Sequence, residues 1–147
     1  MIFVLLCILI LLVYLFLIHP RVGKNVDMSA FEQVYIAHRG YFNNAGECPE
    51  NSLGAFQKAV ENGFGIELDV QLTSDKRLVV FHDDSLLRMC KVDKKVRDCT
   101  YEELQQYRLA SSNEKIPLFV DVLKLVNGAV PLIIEVKPEG DYILATK

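Results

Sequence analysis

The sequence predicts an α/β domain behind a strongly apolar N-terminal helix, and three observations carry the prediction. Residues 2–18 are apolar throughout, with no charge, glycine or proline. Short β-rich runs then alternate with runs of helical spacing, the pattern of a parallel sheet with helical crossovers. Polar groups gather at or near the C-terminal ends of the β-rich runs, where loops converge in such folds. The sheet is expected either as an α/β layer or as a (β/α) barrel.

At ~1.5 Å per residue, residues 2–18 make a helix of roughly 25 Å, near the short limit for crossing a bilayer. A cleaved signal peptide would begin with a basic residue and end at a small-x-small site. Here no Lys or Arg precedes the run, and HPRVGKNVD follows it. The expectation is an uncleaved, single-pass membrane anchor over residues 1–19. Arg21 and Lys24 come after it, and the positive-inside tendency then puts the rest of the chain in the cytoplasm. Residues 20–33 read as a polar linker and residues 34–147 as the domain.

Within the domain, QVYIAH (33–38) is a first strand. NSLGAFQKAVENG (51–63) places Leu53, Phe56 and Val60 at helical spacing, with Asn51 or Ser52 as N-cap and Gly63 as the stop. FGIELDVQL (64–72) and RLVVFH (77–82) are the second and third strands. Only TSDK separates them, too short for a crossover helix, so the chain either returns in extended form or makes a hairpin. TYEELQQYRL (100–109) opens a helix with a capping box, Thr100 answered by Glu103. PLFVDVLKLVNG (117–128) is a further helix between Pro117 and Gly128. PLIIEVKP (131–138) is the fourth strand.

The net charge is −3 and no basic run occurs, so nucleic acid is not an expected partner. Cys7 lies in the apolar run. Cys48, Cys90 and Cys99 are odd in number and lack a C-x-x-C pair, neither a disulfide framework nor a zinc signature.

His38 and Arg39 end the first strand, Glu67 and Asp69 lie in the second, His82 and Asp83 end the third, and Glu135 and Lys137 lie in the fourth. Taken singly, each has a plain structural explanation. The pairs are more telling, because residues i and i+2 of a strand share a face. Glu67 and Asp69 are therefore side by side, with Ile66, Leu68 and Val70 opposite, and Glu135 and Lys137 repeat the pattern. Like charges buried together need a compensating cation. Three carboxylates from two strands suit a hard ion such as Mg²⁺ or Ca²⁺. Two imidazoles beside it provide an acid and a base near neutral pH. Arg39 and Lys137 supply positive charge for a phosphate's oxygens. The inventory reads as phosphoryl-ester chemistry. Asp83-Asp84 reads foremost as a turn start, with metal binding as the alternative, and Asn43-Asn44 and Glu47 as solvated loop residues.

The strings AHRG, PENSLGAF, GIELDVQLTSDKRLVVFHDDSLLR and IIEVKP resemble, in order and spacing, the glycerophosphodiester phosphodiesterase family. The resemblance runs from residue 35 to about 141. It implies a TIM-type barrel that hydrolyses glycerophosphodiesters to glycerol 3-phosphate and an alcohol with a divalent cation. By position it implies His38 and His82 as the acid/base pair and Glu67, Asp69 and Glu135 as metal ligands. Arg39 and Lys137 would contact phosphate, with Glu50 and Asn51 supporting the substrate and metal site. A (β/α)₈ domain takes roughly 250 residues, so about the first half, four strands, is expected here, as in a truncated chain. Two other readings stay open. One is a non-catalytic, membrane-tethered remnant or a half barrel that needs a partner. The other is a related phospholipase-type lyase.

Overall fold

A computed structural model describes residues 2–19 and 27–137. The first helix, α1, covers Ile2–Ile18 and buries none of its residues. Its 17 residues extend roughly 25 Å, against a hydrocarbon core of about 30 Å. No helix among the described residues is long and apolar enough to cross a membrane. This overturns the expected single-pass anchor over residues 2–18 and, with it, the cytoplasmic placement of the domain. The run is as apolar as its sequence says, and its length falls short. Arg21 and Lys24 lie outside the described residues.

The domain is organised on one strand. β1 is Ile36–His38, α2 is Leu53–Glu61, and β2 is Gly65–Leu72. β3 is Leu78–Val80, α3 is Leu87–Cys90, α4 is Tyr101–Leu104, α5 is Phe119–Val126, and β4 is Leu132–Val136. β2 pairs with all three other strands. β1 runs parallel to its first half, His38 opposite Glu67. β3 runs antiparallel to its second half, Val80 opposite Val70. β4 runs parallel over Ile66–Val70, with Asp69 opposite Glu135. β4 overlaps the pairing of both, so β1 and β3 share one edge of β2 and β4 takes the other. Among the described residues four strands form, as expected, but only three of them are parallel.

The short connection is a hairpin. The Thr73 N–H donates to the Arg77 carbonyl at 3.0 Å, and Ser74–Lys76 makes a three-residue loop with Lys76 left-handed at φ 61°, a common hairpin geometry. A two-residue Ser74-Asp75 turn would have put His82 across from Glu67. The observed register is shifted by one, and Phe81 donates its N–H to the Asp69 carbonyl at 2.9 Å.

Two cores flank the hairpin. Ile66, Leu68, Val70 and Val80 pack with Phe56, Ala59, Val122 and Val126 of the helices. Each fully buried Leu, Ile or Phe there is worth about 1.5–3 kcal/mol. Val79 and Phe81 point the other way and join Leu86, Met89, Val96, Leu104, Leu109 and Ile116. α2 starts at Ser52, whose Oγ accepts the Ala55 N–H at 3.1 Å. The Thr100–Glu103 capping box forms, but α4 stops at Leu104 instead of residue 109. Leu104 and Leu109 are both fully buried, and five residues apart they cannot share a helix face. The helix ends so that both can be covered. α5 starts two residues later than expected because residues 117–118 extend β3's pairing. The Pro117 carbonyl accepts the Val80 N–H at 2.9 Å, and Leu118 bridges Val79.

Candidate active site

The site begins with a kink. After β1, Arg39 takes φ 58° and Gly40 φ 84°. The Arg39 N–H donates to the Glu67 carbonyl at 2.9 Å and reaches Glu67 Oε2 at 3.2 Å. A side chain on Gly40 would press at 3.0 Å on the Ala55 backbone, so glycine lets the loop lie against α2. Asn51 is also left-handed, at φ 56°. Its N–H donates to the Arg39 carbonyl at 3.0 Å, which ties the two strained residues together. Non-glycine residues in this region cost about 1–3 kcal/mol each and persist where surrounding bonds impose them.

The kink turns Arg39 inward. Its Nη1 donates to Glu50 Oε1 at 2.7 Å, and its Nε lies 3.6 Å from Asp69 Oδ2. Asn51 Nδ2 donates to that same Oδ2 at 2.9 Å. Asp69 is 1% exposed, and Lys137 Nζ sits 2.8 Å from its Oδ1 and 2.6 Å from Glu135 Oε1. Burial pushes the Asp69 carboxyl up, but Lys137, Asn51 and the charge of His82 outweigh it and hold the pKa below the usual range. Burial opposes the charge on Lys137, and its two carboxylate partners raise its pKa nevertheless.

Carboxylate oxygens of Glu67, Asp69 and Glu135 lie within 4.8 Å of one another. His38 stands beside them, Nε2 at 3.9 Å from Glu67 Oε2, with its side chain 67% exposed. His82 makes its bond elsewhere, Nδ1 to Asp83 Oδ1 at 2.7 Å. The donor set fits a hard cation. It is all oxygen, and Asn51 Oδ1 beside it is buried without a hydrogen bond. Five carboxylates (Glu50, Glu67, Asp69, Asp83, Glu135) face three cations (Arg39, Arg88, Lys137), and a divalent ion would balance them.

All nine residues singled out in the sequence are thus described. The fold brings all nine into one chain of contacts, His82 joining it through Asp83, Arg88 and Glu50. Lys137 pairs with the acidic cluster itself. Glu50 is 5% exposed, its carboxylate taken up by Arg39, Arg88 and Asn44. Burial raises the Glu50 pKa, but hydrogen bonds from Arg88, Asn44 and Arg39 bring it down to about 2. Arg88 and Asn44 were not legible as site residues, and Asp83, read foremost as a turn start, instead partners His82 and Arg88. Arg88 meets Glu50 across 38 positions, and no local pattern announces such a pair. Asn44 holds Glu50 twice, Nδ2 on Oε2 at 2.8 Å and Oδ1 on the Glu50 N–H at 2.9 Å.

Residues 38–147 match the family described as "Glycerophosphoryl diester phosphodiesterase family". The chain is 42% identical over 108 residues to a glycerophosphodiester phosphodiesterase of Bacillus altitudinis, covering 69% of this chain and 43% of the relative. It is 31% identical over 144 residues to human lysophospholipase D GDPD1, covering 89% of this chain and 45% of that one. Among solved structures it resembles an Oleispira antarctica phosphodiesterase in complex with the product sn-glycerol-3-phosphate. The TM-score is 0.65 at 31% identity, over 74% of this chain and 46% of that one. The chain spans about half the length of the relatives it matches.

Proposed function

Because the chain belongs to the glycerophosphoryl diester phosphodiesterase family, we propose that its site hydrolyses glycerophosphodiesters to glycerol 3-phosphate and an alcohol. The observation that carries this reading is the convergence of Glu67, Asp69 and Glu135 beside His38 and Arg39. The product held by the Oleispira antarctica relative supports the substrate class. The sheet is assigned to a TIM-type barrel.

Glu67, Asp69 and Glu135 would hold Mg²⁺ or Ca²⁺, whose Lewis acidity neutralises charge on the diester. Arg39 and Lys137 present positive charge to the non-bridging oxygens. Glu50 holds Arg39 in place and Asn51 holds Asp69. Asp83 occupies His82 Nδ1, which leaves Nε2 for proton transfer. One imidazole takes the proton of the nucleophile, water or a neighbouring glycerol hydroxyl. The other, His38 or His82, protonates the leaving alkoxide.

The test follows the chain's reaction with a glycerophosphodiester and Mg²⁺ or Ca²⁺ by phosphorus NMR. The expected result is glycerol 3-phosphate, lost with chelator and regained with excess ion. A cyclic phosphate product would assign a lyase instead. A second reading is a cation-binding half that turns over only with a partner. The exposure of Ile133, Ile134 and Val136 on β4, at 43%, 43% and 37%, favours it, and ion binding without turnover would select it.

Ion binding has its own check in Lys137→Met. Removing a positive charge 2.8 Å from Asp69 is expected to tighten Mg²⁺ or Ca²⁺ binding about 10-fold by calorimetry, the effect of ~1.4 kcal/mol. Unchanged or weaker binding would place the ion away from these carboxylates.

A further inference from the structure

We propose that Arg88 is a positioning residue that sets the tautomer of His82 by clamping Asp83 against Glu50. The guanidinium spans two carboxylates with two forks. On one side, Nε and Nη2 donate to Asp83 Oδ2 at 2.6 Å and Oδ1 at 3.1 Å. On the other, Nη2 and Nη1 donate to Glu50 Oε1 at 2.6 Å and Oε2 at 3.0 Å. Only a planar, five-donor guanidinium can make both forks at once.

Both ends of the clamp are anchored. Glu50 is buried and bonded to Arg39 and Asn44. Arg88 sits on α3, whose neighbours Leu86 and Met89 are locked in the second core. The Ala110 N–H also donates to the Met89 carbonyl at 2.7 Å. Asp83 is therefore fixed from a direction independent of His82. Gln71 adds a second hold, Nε2 donating to the Phe81 and Asp83 carbonyls at 2.8 Å each. With Asp83 Oδ1 held 2.7 Å from His82 Nδ1, a neutral His82 keeps its proton on Nδ1 and leaves Nε2 unprotonated. Free histidine in water favours the opposite tautomer. Burial opposes ionisation of Asp83, but Arg88 and His82 outweigh it and lower its pKa, so it stays an acceptor.

The role rests on the reading of His82 as an acid/base group, but its test does not. Long-range ¹⁵N–¹H spectra of the full chain, at a pH where imidazole is neutral, report the tautomer of His82 directly. The unsubstituted chain should show the Nδ1–H form, and Asp83→Ala the Nε2–H form of an untethered ring. Arg88→Lys and Arg88→Gln should lower the Nδ1–H share by about half or more, in spectra whose backbone dispersion shows a folded chain. An unchanged tautomer in both folded variants would overturn the proposal. If neither variant folds, the unsubstituted chain decides. A clamped Arg88 gives separate, slowly exchanging Nε–H and Nη–H signals assigned through its backbone, and one averaged guanidinium signal would overturn the proposal. Loss of turnover with the tautomer retained would count against it too, and would leave the diesterase reading standing.

Discussion

His38→Ala and His82→Ala are each expected to slow release of glycerol 3-phosphate by about 10²–10⁴-fold, the usual worth of a positioned acid or base. The measurement is turnover of the full chain at saturating Mg²⁺ or Ca²⁺, with ion binding and thermal unfolding recorded alongside. Neither imidazole belongs to the carboxylate trio, so ion affinity should stay within a few-fold in both variants. The two substitutions should differ in stability. His38 is 67% exposed and lies 3.9 Å from Glu67, so its removal should cost little. His82 carries the bond to Asp83, and its loss leaves that carboxylate to Arg88 alone. Turnover surviving both substitutions would remove the imidazoles from the mechanism.

Glu50→Ala is expected to destabilise the fold by about 3–5 kcal/mol, the cost of stranding the partners of a buried ion pair. Arg39 and Arg88 both lose their shared acceptor, and Arg39 is 16% exposed. Against a domain stability of about 5–15 kcal/mol, that is enough to change the folded population at ordinary temperatures. Urea unfolding measures it. A cost below about 1 kcal/mol, the range of exposed pairs, would mean that solvent already replaces these bonds. The same group makes a pH prediction. Its folded pKa, about 2, lies below the ordinary value of 4.5. The carboxylate's contribution is therefore fully present above pH 4.5 and is lost as the pH falls towards 2. The loss is on the order of 2–3 kcal/mol. Glu50→Gln should lack this part of the acid lability, so the stability gap between it and the unsubstituted chain should narrow on acidification. A gap constant between pH 6 and 3 would contradict the assignment.

Much of the site was legible because local rules act on neighbouring residues. Alternation on a strand puts Glu67 and Asp69 on one face and Glu135 and Lys137 on another, and parallel pairing then sets Asp69 opposite Glu135. Ser52 and the Thr100–Glu103 box follow from capping chemistry three residues long. The errors arose where two local rules competed or where length decided. Residues 101–109 have helical character, but burying both Leu104 and Leu109 stops the helix. Pro117 is a good helix start, but β3 takes its carbonyl first. Residues 2–18 have the composition of a membrane span without the length.

By itself the sequence determined which chemistry was on offer: carboxylates, imidazoles and cations at strand ends, spaced so that they had to share faces. Only the tertiary structure decided which of them meet. The hairpin register, the left-handed Arg39 and Asn51, and the Arg88 bridge between Glu50 and Asp83 depend on groups far apart in the chain. A buried charge must find its counter-charge and hydrogen bonds wherever the fold delivers them. That requirement is met in space, across 38 residues for Arg88 and Glu50.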